Sequence, residues 1–460
     1  MSEPLYRPPA PKPLAPLPSL LRVMREGDGN LLSLVPRDAY RKSVTPLGYS
    51  RRSIILINEP DAIRNVMTDP LRIYPKNDLF VGALAPLVGD SIFTSHGDRW
   101  LRQRKLIDPA FSQMRLQEAF VAMRATLEDY FDQLDRAARD GTQLSLDVLM
   151  SQLTADVICR TLFSAPLSSD RAAAVFNDFA IFERSVASVN LGQLIFGKPW
   201  SDVRQPQAVL DACERIRNRI RELLAPRFTP KPGTPPHNDI VQAIIDARDD
   251  ESGAGFSEEE LIDQLGVFFL AGHETTASGL TWSFFILSQQ PAVEERLVAE
   301  TTATCGADAV DFASVKQLKY VRAVFRETLR LYPPITFIPR VAAETTRIAG
   351  RRIKRGAMIM ISPWATHRNA LLWNDPDRFD PDRFLDERAA ELRNNVFLSF
   401  GLGPRICVGA GFATIEATLI LSELSRRYRF VPAAPHSVRP VARLTTRPAR
   451  EILCTVERRA

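Results

Sequence analysis

A chain of 460 residues, 45% hydrophobic and with 59 Lys and Arg against 54 Asp and Glu, can bury a large core, which sets aside disordered and fibrous classes. The formal net charge of +5 is scattered rather than gathered in a block, which argues against nucleic-acid binding and leaves a solvated surface or a local basic patch for an acidic partner protein. Five cysteines, Cys159, Cys213, Cys305, Cys407 and Cys454, contain no C-x-x-C pair, which argues against a disulfide framework, a zinc site or an iron–sulfur cluster and suits a reducing cytoplasm.

Residues 1–30 open on MSEPLYRPPAPKPLAPLPSL, whose prolines favour an extended arm and which holds no apolar run of signal or anchor length. No Gly/Ser-rich or charged linker interrupts the rest, so residues 31–460 are expected to form one domain. SRRSIILINEP (50–60) reads as a strand by its β-branched content. Apolar residues at three- and four-residue spacing predict helices near 113–138, 145–163, 171–188, 205–225 and 238–248. The stretch 191–200, with Phe196 and Trp200, is either a lid or part of the core, and Pro-rich 226–239 reads as a surface loop. Ser257 and Glu260 form a capping box, and no proline follows until Pro291, which predicts a buried helix about 45–50 Å long. A further helix from near Gln317 must end at YPP (332–334), and strands follow at 348–362 and in the C-terminal REILCTVERR. No apolar stretch is long enough to cross a bilayer. The predicted fold class is mainly α with small β-sheets drawn from distant segments.

Three stretches carry candidate chemistry. In the middle of the long helix, AGHETT (271–276) sets small residues, an acid and two hydroxyls where a core helix would have Leu or Ile. Phe268, Ala271, Gly272, Thr275 and Gly279 share one face, which either leaves space for a ligand or allows close helix packing, with Thr275 bonded back to its own backbone. Glu327 and Arg330, in ETLR, are neighbours on one helix face. FGLGPRICVG (400–409) places Cys407 just before a strongly helical run and two residues after Arg405, where positive charge and free N–H groups should lower a thiol's pKa. Such a thiolate fits a nucleophile, a redox sensor or a metal ligand. None of His96, His237, His273, His367 and His436 lies in a recognisable cysteine-nucleophile setting. A lone axial ligand to haem iron needs no second cysteine.

These motifs together resemble the cytochrome P450 family. Phe400, Gly403, Arg405, Cys407 and Gly409 match its F-x-x-G-x-R-x-C-x-G motif, and Ala271, Gly272, Glu274, Thr275 and Thr276 match its oxygen-binding motif. Glu327 and Arg330 match E-x-x-R, Arg383 lies in a matching PDRF, and Trp100 and Arg104 match W-x-x-x-R. The resemblance implies a triangular α-helical prism with minor sheets, holding haem b on an axial thiolate from Cys407 with Phe400 as a shield. Trp100, Arg104, Arg340 and Arg405 would partner the haem propionates, Ala271 and Gly272 would lie along the cofactor, and His96 would be a cap or turn residue. Thr275 and Glu274 would deliver protons to oxygen, and Glu327, Arg330 and Arg383 would form a buried structural triad.

The reaction so implied is monooxygenation, one atom of O2 entering a hydrophobic small molecule. Its pocket would be lined from 77–93, by Leu265 and Phe268 on the long helix, and by Ile335, Thr336 and Ile338. No flavin or ferredoxin domain is recognisable after the expected last strands, so electrons are expected from a separate ferredoxin and its NAD(P)H-dependent reductase. The protein is expected to be soluble, without a membrane anchor, and cytoplasmic. A haem-thiolate isomerase or dehydratase would need no redox partner, and a haem-binding sensor would have no need of Glu274 and Thr275.

Overall fold

The computed structural model describes residues 6–459 apart from 27–29, 48–52, 70–71, 165, 167–177, 180, 183–204, 230–236 and 386–395. The candidate lid at 191–200 and most of the helix predicted at 171–188 lie outside the described residues.

The arm differs from the extended segment expected, because helix α1 (Pro16–Glu26) begins inside it. Proline is tolerated in a first turn, where its missing N–H would have had no helical partner. Leu20 and Val23 of α1 pack with Leu34, and the preceding residues are tied down where the Tyr332 hydroxyl donates to Pro9 O at 2.7 Å and Phe379 N–H donates to Tyr6 O at 3.2 Å.

Strands β1 (Val44–Pro46) and β2 (Ile54–Ile57) lead to α2 (Pro60–Thr68), α3 (Asp78–Val88) and α4 (Gly97–Ile107). Next come α5 (Gln113–Asp140), closed by Gly141 at φ 65°, β3 (Leu144–Ser145) and α6 (Leu146–Phe163). Helix α7 (Gln207–Phe228) runs through Pro226, further than the predicted loop allowed. Its last turn is held from outside, because buried Arg227 donates to Asp239 at 2.7 and 2.6 Å, and Asp239 caps α8 (Ile240–Asp246).

Helix α9 (Glu258–Ser288) is the predicted long helix. The Ser257 side chain accepts from Glu260 N–H at 3.3 Å, Glu260 accepts from Ser257 N–H at 2.9 Å, and three glutamates sit in the first turn, where the helix dipole favours them. Apolar residues surround most of its circumference, so it is buried between neighbours. After it come α10 (Pro291–Cys305), α11 (Phe312–Gln317), α12 (Lys319–Leu331), β4 (Ile338–Val341), β5 (Thr346–Ile348), β6 (Arg351–Ile353), β7 (Met358–Ile361) and α13 (Pro363–Thr366). The chain ends with α14 (Ala410–Arg427), β8 (Tyr428–Pro432), β9 (Pro440–Ala442), β10 (Thr446–Pro448) and β11 (Leu453–Arg458).

The sheets are small and assembled from distant segments. One has the order β1-β2-β7-β4, with β2 and β7 parallel; another is β3-β11-β8; β5-β6 and β9-β10 are hairpins. The main core gathers around α9, which meets α6, α12 and α14, and a second cluster lies under the four-stranded sheet.

Candidate functional site

The segment before α14 is shaped by two glycines in the left-handed region, Gly401 at φ 79° and Gly403 at φ 73°. A Cβ on Gly403 would also fall 3.1 Å from Met67 O of α2, so the close approach itself requires glycine. Cys407 N–H donates to Phe400 O at 2.8 Å and Arg104 Nη1 donates to Ile406 O at 2.7 Å, fixing the loop at both ends of its turn. Cys407 is exposed, at the end of the loop that leads into α14. The sequence leads one to expect a lowered thiol pKa. Desolvation by burial instead pushes it up, outweighing the downward pulls of the Gly409 N–H and of Arg104. Ligation by a cation, which favours the thiolate outright, would reverse that balance.

On α9 the open patch is narrow. Ala271 is exposed and Thr275 half-buried on a helix otherwise largely enclosed, and the Thr275 hydroxyl donates to Ala271 O at 2.7 Å. The glycines serve packing: a Cβ on Gly272 would lie 2.4 Å from Ile158 of α6, and one on Gly279 would lie 2.9 Å from Phe325 of α12. Phe268 rests edge-on against Phe111, ring centroids 5.6 Å apart. Leu265 is fully buried and, at about 100° per residue, sits about 120° round the helix from Ala271, so the structure does not bring it to the open patch. Ile335 and Ile338 are half-buried, while Thr336 is buried and its carbonyl accepts from Ser362 Oγ at 2.9 Å.

Glu274 is buried and engaged from outside its helix. Arg447 of β10 meets it through Nη2 to Oε1 at 2.5 Å and Nε to Oε2 at 3.1 Å, and the Thr445 hydroxyl donates to Oε2 at 3.1 Å. Neither Arg447 nor Thr445 is signalled by a local sequence pattern.

Near Cys407 the structure gathers cations. Arg405 lies over the Trp100 ring, 4.2 Å to its centroid, and donates to Ser95 O at 3.2 Å; buried Arg340 donates to Pro339 O at 3.0 Å. Lys76, which the sequence reading missed, bridges to Arg340 through the backbone and donates to Phe93 O. Burial brings Arg405 and Arg340 down to about 10, with Arg340 also pushing on Arg405; burial and then both arginines hold Lys76 well below the usual lysine range. Among the described residues none of the three forms an ion pair with a carboxylate. Mutually repelling, half- to fully buried cations that form no ion pair among the described residues fit a ligand that brings its own carboxylates, as haem does. Arg104 is engaged elsewhere, its Nε 2.5 Å from Asp108 Oδ1, and acts on the cysteine loop. His96 stands at the N-cap of α4 without a side-chain cap bond.

Behind the loop, Glu327 and Arg330 of α12 are wholly buried and doubly hydrogen-bonded, and Arg383 Nε lies 3.4 Å from Glu327 Oε1. The Ser399 hydroxyl donates to Leu329 O at 2.9 Å, so the cysteine segment is fastened directly to this helix.

The cytochrome P450 family profile matches residues 8–454. Cyclooctatin synthase of Streptomyces melanosporofaciens is 33% identical over 405 residues, 87% of this chain and 86% of that protein. Cyclooctat-9-en-7-ol 5-monooxygenase of the same organism is 32% identical, covering 84% and 82%, and pentalenene oxygenase of Streptomyces avermitilis is 30% identical, covering 84% of each. A crystal structure of a cytochrome P450 superposes with a TM-score of 0.77 at 20% identity, covering 91% of this chain and 96% of that one.

Proposed function

This chain belongs to the cytochrome P450 family and is a haem-thiolate monooxygenase, and from that premise we propose that Cys407 is the axial thiolate, with Lys76, Arg340, Arg405 and Trp100 receiving the haem propionates. The observation that carries this reading is the pairing of a cysteine on a loop bent by two left-handed glycines with a cluster of cations that, among the described residues, forms no ion pair with a carboxylate. Bound haem supplies oxygen activation, in the balance RH + O2 + two electrons + two protons giving ROH + H2O.

The chain's own residues do the rest. The cysteine loop presents Sγ, with the Gly409 N–H as its hydrogen-bond donor, which tunes a metal bound there. Ala271 leaves the room on α9 that a larger side chain would fill, and the Thr275 hydroxyl, held on Ala271 O, is placed to pass protons at that open patch. Glu274 holds the next acid along α9.

The substrate is hydrophobic, and electrons come from separate redox proteins. We assign it to the cyclic alkenes and alkenols, in line with relatives named for pentalenene and cyclooctat-9-en-7-ol. The donor assigned is an acidic ferredoxin with its reductase. Leu101 of α4 and Ile406 of the cysteine loop are both exposed, and Arg104 of α4 donates to Ile406 O, which supports a docking face there for such a donor. Reduction that is indifferent to salt with every acidic ferredoxin tried argues against that donor. Among the described residues no helix is long and apolar enough to cross a membrane, and the cytoplasm is the assigned location.

An absorption spectrum of the dithionite-reduced protein under carbon monoxide tests the central assignment. A strongly red-shifted Soret band identifies thiolate ligation, and its loss in Cys407→Ser assigns the ligand. A histidine-type band, or no haem at all, overturns it.

A further inference from the structure

The acid of the AGHETT motif is held by the C-terminal end of the chain. Arg447 grips both oxygens of Glu274, at 2.5 and 3.1 Å, while its other nitrogen Nη1 donates to Ser151 Oγ of α6 at 3.1 Å. Thr445, in the turn between β9 and β10, donates to the same carboxylate. From α9 itself, His273 Nε2 lies 3.3 Å from Glu274 Oε1. Thr275 is turned the other way, onto Ala271 O. The two members of the acid–alcohol pair thus face different partners on different flanks of α9.

The hairpin that carries Arg447 is independently fixed. The carbonyl of Thr446 accepts from Ser278 Oγ at 2.6 Å and from Trp282 Nε1 at 2.9 Å, and the Thr446 hydroxyl donates to Pro333 O at 2.6 Å. None of these bonds involves Arg447 or Glu274. The guanidinium is therefore presented from a rigid mount, and its planar fork dictates where the carboxylate oxygens lie.

We infer that Arg447 is a positioning residue for proton delivery: the β9-β10 hairpin, through Arg447, sets the orientation of Glu274 relative to the open patch at Ala271 and Thr275. The inference rests on the monooxygenase reading of that patch. Its consequence is that control of the protons comes from a strand some 170 residues further along the chain, as the sequence separation of 173 between the partners records. Misplaced protons divert O2 toward peroxide, O2 + two electrons + two protons giving H2O2, in place of complete reduction, O2 + four electrons + four protons giving two H2O.

The test uses haem-loaded protein with a plant-type ferredoxin and its NADPH reductase, without added substrate. The readout is peroxide released per NADPH consumed, across pH, for the wild type, Arg447→Gln, Arg447→Lys, Glu274→Gln and the Glu274→Gln, Arg447→Gln double variant. The expected result is a several-fold higher peroxide yield and a displaced pH profile in Arg447→Gln, partial rescue in Arg447→Lys, and no further effect of Arg447→Gln once Glu274 is Gln. Infrared difference spectra against Glu274→Gln should also show the Glu274 carboxyl band moving in Arg447→Gln, a signature independent of turnover. An unchanged yield and pH profile in Arg447→Gln, or an effect that persists in full without Glu274, overturns the inference. Should Arg447→Gln fail to fold, Ser151→Ala loosens the same guanidinium from its far side, and a wild-type peroxide yield there overturns it equally. Failure of the haem-thiolate reading is seen separately, as a carbon monoxide spectrum of the wild type without the red-shifted band.

Discussion

Arg330 joins Glu327 through two parallel hydrogen bonds, Nε to Oε2 at 2.7 Å and Nη2 to Oε1 at 2.8 Å, with both side chains completely out of solvent. The remaining donors of Arg330 reach His367 O, Pro376 O and Arg378 O at 2.7, 2.6 and 2.9 Å, so one side chain ties α12 to two later segments. Glu327→Gln keeps the shape and removes the charge, leaving Arg330 buried without its counter-ion. Breaking a buried pair from one side costs about 3–5 kcal/mol. The expected outcome is a fall of that order in the denaturant-derived unfolding free energy, with haem content reduced because Ser399 of the cysteine segment hangs on the same helix.

His367 gives the fold a pH dependence of known sign. Leu398 N–H donates to its Nε2 at 2.8 Å, so Nδ1 carries the proton and donates to Arg330 O at 3.0 Å. Both nitrogens are used only by the neutral ring, and burial, with a further push from Arg330, brings the pKa from 6.5 down to about 3. The folded state thus binds fewer protons than the unfolded chain between those values. Stability is full above about pH 6.5, the ordinary histidine value, and declines as pH falls toward 3. Melting temperature followed from pH 8 to pH 4 should drop more steeply in the wild type than in His367→Asn; equal slopes would assign the acid sensitivity elsewhere.

The features legible in the sequence are those written locally. The capping box and the absence of proline defined α9, and three-residue spacing put Glu327 beside Arg330, because both patterns are properties of one helix. Lys76, Arg447 and Thr445 were not legible, since each acquires its role only when a distant segment is laid against it in one register: Lys76 against Arg340, and β10 against α9. Leu265, expected to line the pocket, is ambiguous for a different reason. A buried leucine and a ligand-facing leucine look alike in a helix that is apolar nearly all round, and only its neighbours tell them apart. At Cys407 two opposing influences differ in legibility: a nearby arginine is visible in the chain, whereas desolvation of the unligated thiol is visible only in the fold.

Cationic crowding predicts opposite effects in the two forms of the protein. Lys76, Arg340 and Arg405 repel one another, and burial removes the water that would relieve them. In haem-free protein, Lys76→Met should therefore raise the melting temperature. In haem-loaded protein the same change removes a partner for the propionates, so haem should be lost faster to apomyoglobin. The gap between loaded and haem-free melting temperatures narrows, by linkage, with the weakened affinity. A variant that is destabilised in both forms would show that Lys76 matters for packing alone.

Glu416 supplies the last test, on the opposite side of α9 from the hairpin. It is fully buried on α14, and burial pushes it well above the usual carboxylate range against a smaller downward pull from the Thr276 hydroxyl. A carboxyl in that state keeps its proton to a higher pH in the folded protein than in the unfolded chain. The folded state binds more protons, so from the unfolded value of about 4.3 upward each rise in pH favours unfolding, until the folded value is reached. Glu416→Gln keeps the size and is neutral in both states, which removes this penalty. Its stability should match the wild type below about pH 4, in the range where both states are protonated, and exceed it by a margin that grows as pH rises toward the folded value. Chemical denaturation at a series of pH values measures the margin directly. A constant difference at all pH values would mean that Glu416 is ionised in the fold and has a cation or ordered water to hold it.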